Sequence, residues 1–181
     1  MPAFVSLAFA LLDPPSTAVA RTRALLPELE LELELGEEET AEDTTTLEGV
    51  LTVAGSPLRA WLRAYAQPGW TALTLDVEED ALDRLSREVG RPIVLTQLVE
   101  LGARFVRTLG APYVWFEEEA EADHEPSCFT GAEPLFGVSL LRADLPALGV
   151  ALATPGLLRV ERAEGVVIVW KRPDPVPHRT R

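Results

Sequence analysis

Six acidic residues fall within nine positions: Glu117, Glu118, Glu119, Glu121, Asp123 and Glu125. His124 lies among them and Cys128 just beyond. Two chemistries are open to such a cluster. Crowded carboxylates make a docking surface for a basic protein, because Arg and Lys pair with them through charge-assisted hydrogen bonds. A thiolate, an imidazole and carboxylates are also donors that zinc accepts, and a thiolate beside a histidine can be a nucleophile. The second reading lacks parts. Zinc wants three or four placed ligands, no second cysteine exists, and the only other histidine is His178. Short spacings of this kind also match by chance, so no metal ligand and no cofactor is assigned. The partner-binding residues assigned are Glu117, Glu118, Glu119, Glu121 and Asp123. The plainer alternative is a solvated acidic loop that keeps the protein soluble.

The usual catalytic equipment is missing. There is no Gly-rich phosphate loop, no Gly-X-Ser-X-Gly elbow and no His-Glu-X-X-His. Two histidines and one lysine, Lys171, leave few general bases. No catalytic residue is assigned, and an enzyme is disfavoured.

A net charge of −13 argues against nucleic-acid binding and against anionic membranes, and it favours a basic partner. The single cysteine excludes an internal disulfide framework and suits a reducing compartment. Ala3 to Leu12 is apolar but is cut off by Asp13, Pro14 and Pro15, so it reads as a buried first strand rather than a signal or membrane segment. A cytoplasmic protein is expected. The basic residues are 15 Arg and one Lys, and Asn is absent; that bias points to a GC-rich, bacterial genome rather than to a function.

The elements that would hold the acidic run lie just before it. Ile93, Val94 and Leu95 read as a short strand, and Thr96 as the cap of a helix over 97–109 that buries Leu98, Leu101, Gly102, Phe105 and Leu109. Gly110 and Pro112 end that helix. Tyr113 to Phe116 is a continuous apolar run, as in a central strand covered on both faces. The run from Glu117 then opens a loop over 117–134.

Earlier in the chain, Asp13, Pro14 and Pro15 introduce a helix carrying Ala18, Ala20, Ala24, Leu25 and Leu26. Glu28 to Leu35 alternates strictly, which on a strand sets Leu on one side and glutamates on the other. Residues 36–46 read as a polar loop and 47–54 as a strand. For 57–66, the Ser56 cap, Pro57 and a Leu58–Trp61–Leu62–Tyr65 stripe favour a helix. The alternative is the return strand of a hairpin, with Arg59, Trp61, Arg63 and Tyr65 on one face as an aromatic–cationic contact patch near the glutamate ladder. Trp70 to Leu75 reads as a strand, and Asp76 as the cap of a helix over 77–89.

Later, 135–141 reads as extended, 144–153 as a short helix, and 157–162 with 166–171 as a hairpin. The expected fold is α+β: a mixed, mostly antiparallel sheet of six to eight strands with two to four packed helices. It forms a single domain over 1–172, followed by a disordered Pro-rich tail over 173–181. Strict α/β winding is the alternative. The expected function is a non-catalytic cytoplasmic binding protein of immunity, antitoxin or adaptor type, docking a basic protein through its acidic surface. A small-ligand or metal-dependent enzyme using 117–128 is the alternative.

Overall fold

Tight turns set the register of much of the sheet. Val53 pairs with Ser56 and Ala163 with Val166, and both residues of each intervening loop, Ala54-Gly55 and Glu164-Gly165, have positive φ. Such a turn has the twist of the strands it joins, and glycine takes its second position without steric cost.

The computed structural model describes residues 4–25, 33–41, 44–118, 125, 129–131, 135 and 137–171, with the backbone alone at 25, 33–41, 118 and 158. The chain runs β1 (Phe4–Leu11), α1 (Pro15–Leu25), β2 (Leu33–Ala41), β3 (Thr44–Val53), β4 (Ser56–Gln67) and β5 (Trp70–Glu78). It continues through α2 (Glu79–Leu85), a π-helical turn (Ser86–Gly90), α3 (Arg91–Leu109), β6 (Tyr113–Glu118) and β7 (Val138–Arg142). It closes with α4 (Leu148–Leu152), β8 (Leu157–Ala163) and β9 (Val166–Lys171).

These strands form one nine-stranded sheet in the order β2-β3-β4-β5-β1-β6-β7-β9-β8. Every described neighbour pair is antiparallel. The α+β class holds. The expected mixed sheet of six to eight strands is corrected: there are more strands and no parallel pair, and α/β winding is excluded. The reason lies in β1. It pairs antiparallel with both β5 and β6, so the helical crossover from β5 to β6 joins two strands that share a direction but never touch.

Several local expectations are overturned by the same pairings. Residues 36–46 belong largely to β2 and β3, where Thr44, Thr45 and Thr46 register opposite Tyr65, Ala64 and Arg63; β-branched residues suit a pleated surface. Residues 57–66 are strand, not helix. Leu58, Ala60, Leu62 and Ala64 alternate into the core, and hydrogen bonding to β3 and β5 on both sides overrides the helix propensity of Leu and Ala. β3 lies between β4 and the acidic edge strand β2, and Arg59 and Arg63 pair with Glu48 and Asp76. Only Glu34 of the glutamate ladder lies in a described strand; residues 26–32 and the tail over 173–181 are outside the described residues.

Asp76 is in β5 and caps nothing, because the alternation of Leu73, Leu75 and Val77 carries the strand past it to Glu78. Ile93 to Leu95 are helical: α3 starts at Arg91, Pro92 fits its first turn, and Thr96 donates to the Pro92 carbonyl at 2.8 Å. The rest of that helix is as expected. Leu98, Leu101, Gly102, Phe105 and Leu109 are buried, and Gly110 takes the left-handed position at φ 71°. A Cβ at Gly102 would stand 3.2 Å from Leu140 and 3.3 Å from Leu7, so the missing side chain lets the helix axis settle close onto the sheet.

Helices α1, α2 and α3 cover one face, over Leu7, Phe9, Leu62, Leu73 and Val114. On the other face α4, Phe129 and Leu135 cover Tyr113, Trp115, Leu141, Val167 and Val169. The β6–β7–β9 half is therefore sandwiched. The β3–β4 half is not: no described helix packs against its second side. Both edge strands carry irregular register, between Leu35 and Glu38 in β2 and between Leu157 and Arg159 in β8, a device that discourages edge-to-edge pairing.

Candidate functional site

Tyr113, Val114, Trp115 and Phe116 are buried in β6, between β1 and β7. The strand leaves the core at Glu117, which is exposed and accepts a 3.3 Å bond from the Gly137 N–H. Glu118 ends β6 in register with Val5. Glu119, Glu121, Asp123, His124 and Cys128 lie outside the described residues. Glu125 is half-buried.

Glu117 is also on the wall of a cleft of about 570 Å³ between the α2–α3 junction and one end of the sheet. Val5, Leu98, Phe116, Val138 and Trp170 give it an apolar lining. Glu79, Asp83 and Glu117 supply carboxylates, and Arg91 and Lys171 supply cations. The volume is in the range of ligand pockets. Sequence reasoning missed this cleft, since its walls come from seven elements spread along the chain: β1, α2, the π-helical turn, α3, β6, β7 and β9. Among the described residues no group of three or more His, Cys, Asp or Glu side chains could hold a metal, and no helix is long and apolar enough to cross a membrane.

The charge distribution singles out the acidic end. Nine acidic residues fall between 28 and 43 and seven between 117 and 133, and neither stretch contains Lys or Arg. The remaining 13 acids stand against all 16 basic residues. The body of the protein pairs its charges locally: Arg21 with Asp13, Arg87 with Asp83, Arg104 and Arg107 with Glu100, Arg142 with Asp144, and Arg159 with Glu161. Net negative charge is thus a property of two segments.

A second polar cluster lies on the uncovered sheet half. Asp76 is 2% exposed and accepts from Ser6 at 2.6 Å, Arg63 at 2.8 Å and Thr74 at 3.0 Å. The Arg63 guanidinium stands 5.0 Å from the Phe4 ring centre, and Phe4 meets Trp61 edge-on at 5.2 Å. Arg59 lies 4.9 Å from the Trp61 ring and donates to Glu48 at 2.6 Å. The aromatic–cationic patch of the strand reading therefore exists, with its arginines already engaged. Sequence reasoning missed Asp76, although the polar residues Thr74 and Asp76 alternate with Leu73, Leu75 and Val77.

The hydrogen bond from Arg59 holds the Glu48 carboxyl below the usual carboxylate range, and the pair raises Arg59. A depressed carboxyl stabilises the fold above its unfolded pKa, and that contribution is lost as pH falls through the folded value. The pair is exposed, so the gain is small. In an NMR titration Glu48 is expected to have a midpoint below those of unpaired glutamates, and Arg59→Gln to return it upward. An unchanged midpoint would show that the pair does not persist in solution.

Comparison with protein-family models, with curated proteins and with solved structures finds no match to this chain.

Proposed function

We propose that the protein is a non-catalytic, cytoplasmic binding module that docks a basic protein partner at the sheet end where the acidic run leaves β6. The observation that carries this reading is the confinement of the net negative charge to two segments free of Lys and Arg, against a body that balances its own charges. Glu117 to Asp123 would meet the partner's Arg and Lys, and charge of one sign speeds encounter and selects against acidic proteins. The adjoining cleft offers room for apolar side chains of the same partner, the mixture of buried anchor and polar rim that interfaces use. An immunity, antitoxin or adaptor role fits this chemistry.

The test is co-purification from the native host with the wild type and with a Glu117/Glu118/Glu119→Gln variant. A basic protein is expected with the wild type, lost on raising salt and depleted at least about tenfold by the variant, a change of about 1.4 kcal/mol. Equal recovery of the same proteins by both would remove the acidic run from the interface. The ligand-sized cleft favours a second reading, a small-ligand or metal-dependent enzyme. One equivalent of zinc, lost on replacing His124 or Cys128 with Ala, would establish that reading in place of the first.

A further inference from the structure

The cleft between the α2–α3 junction and the sheet end is where the helix-side core stays unfinished. Val5, Leu95 and Trp170 pack against that core yet remain half-buried, and all three line the cleft. A 3.0 Å bond from its indole N–H to Glu161 holds Trp170 in place. About 570 Å³ of space lies over these residues, and apolar surface of this kind gains from whatever takes it out of water.

Two segments of the chain leave from the lip of this cleft. One runs between Glu117 and Gly137, both on its wall, but its described apolar residues, Phe129 and Leu135, pack on the opposite face of the sheet. The other begins after Lys171, also on the wall. It comprises residues 172–181, with Pro173, Pro175, Val176 and Pro177 followed by Arg179 and Arg181.

The composition gives this segment no core of its own, and the cleft supplies what it lacks. Pro-rich chain is pre-set to the extended polyproline II form, so seating it costs little entropy, and grooves with aromatic walls are what it fits. Phe116 and Trp170 give the cleft such walls. At about 3.1 Å per residue, Pro173 to Pro177 span about 12 Å and Arg179 can stand about 25 Å from Lys171, enough to cross to α2.

Charge agrees. Residues 172–181 carry three Arg against Asp174. Around the cleft, residues 78–90 carry five acids against Arg84 and Arg87, and β6 ends in Glu117 and Glu118. Arg91 and Lys171 are the remaining cations on the walls. The rim is therefore acidic in balance even before the run from Glu119 is added.

From these observations we propose that residues 172–181 fold back over this cleft. Pro173 to Pro177 cover Val5, Leu95 and Trp170, and Arg179 and Arg181 meet the acids of α2. The contact needs no second protein, so it stands apart from the docking reading. A basic partner that reaches into the cleft must first displace a segment whose chemistry resembles its own.

NMR on the full chain tests this. Backbone order parameters at Asp174 and Val176 should come near the value of about 0.85 for rigid backbone, with NOEs from the Val176 methyls to Leu95 and Trp170. Val176→Asp in the segment and Leu95→Asp in the cleft should each bring the segment below about 0.6. Ile93→Asp, on the same helix but 52% exposed and off the cleft wall, should leave it ordered. Val176 lies beyond the last strand, so its variant decides if Leu95→Asp fails to fold. Wild-type values below about 0.6 throughout 174–181, or order that survives Val176→Asp, would overturn the proposal. So would NOEs that run elsewhere, or to a second copy in a sample mixing labelled and unlabelled chains.

Discussion

Asp76→Ala is expected to lower the unfolding free energy by about 3 kcal/mol, the lower end of the cost of breaking a buried ion pair. The carboxylate is 2% exposed and serves three donors. Removing it strands the Ser6 hydroxyl, itself 3% exposed, without its acceptor. Arg63 suffers less, because its side chain is 28% exposed and water can solvate the guanidinium. That partial exposure keeps the cost from the upper end of the range. For a chain of this length, about 3 kcal/mol corresponds to a fall in Tm of about 9 °C. Asp76→Asn should cost less, because its amide oxygen can still accept from Arg63 and Thr74 while its NH2 donates to the Ser6 hydroxyl, leaving chiefly the loss of charge. Urea unfolding of Asp76→Ala, Arg63→Ala and the double variant measures the coupling directly. A single-variant loss below about 1 kcal/mol would mean that the carboxylate is already hydrated in the native state.

Phe105→Ala should be costlier still, about 4 kcal/mol, in the range for emptying a buried aromatic position. Phe105 is fully buried, and its ring lies 4.7 Å from that of Phe9 on β1. It therefore joins the longest helix to a central strand. The cavity left has little chance to collapse, since Gly102, one turn earlier, already holds the helix against Leu7 and Leu140. A Tm about 12 °C lower is expected by calorimetry. Ile93→Ala, on the exposed first turn of the same helix, should stay within about 0.5 kcal/mol. Comparable losses for the two would contradict the buried stripe.

The elements readable from the chain were those whose local and long-range preferences agree. The Leu98–Leu109 stripe, the Tyr113–Phe116 run and the Glu164-Gly165 hairpin each carry one periodicity and one punctuation mark, and each formed. Misreadings arose where two patterns overlay each other. Leu58, Trp61, Leu62 and Tyr65 have helical spacing, while Leu58, Ala60, Leu62 and Ala64 alternate; only the neighbours β3 and β5 decide between them. Asp76 resembles a cap until Ser6, 70 positions earlier, is known to lie across from it. The candidate site was legible as charge, through Glu117 and its successors. It was not legible as shape, because the cleft and the uncovered face depend on which strands become neighbours.

The position of β1 has a consequence for how the molecule comes into being. Residues 4–11 are made before both of the strands that flank them: one flank is supplied only when β5 emerges, and the other only after α3 and β6 have followed. Until then a nearly uncharged apolar ribbon has no partner of its own. Contacts so distant in the chain make for slow closure, and exposed strands of this kind invite capture by other nascent chains. The two halves of the sheet meet only on this strand, which waits for both.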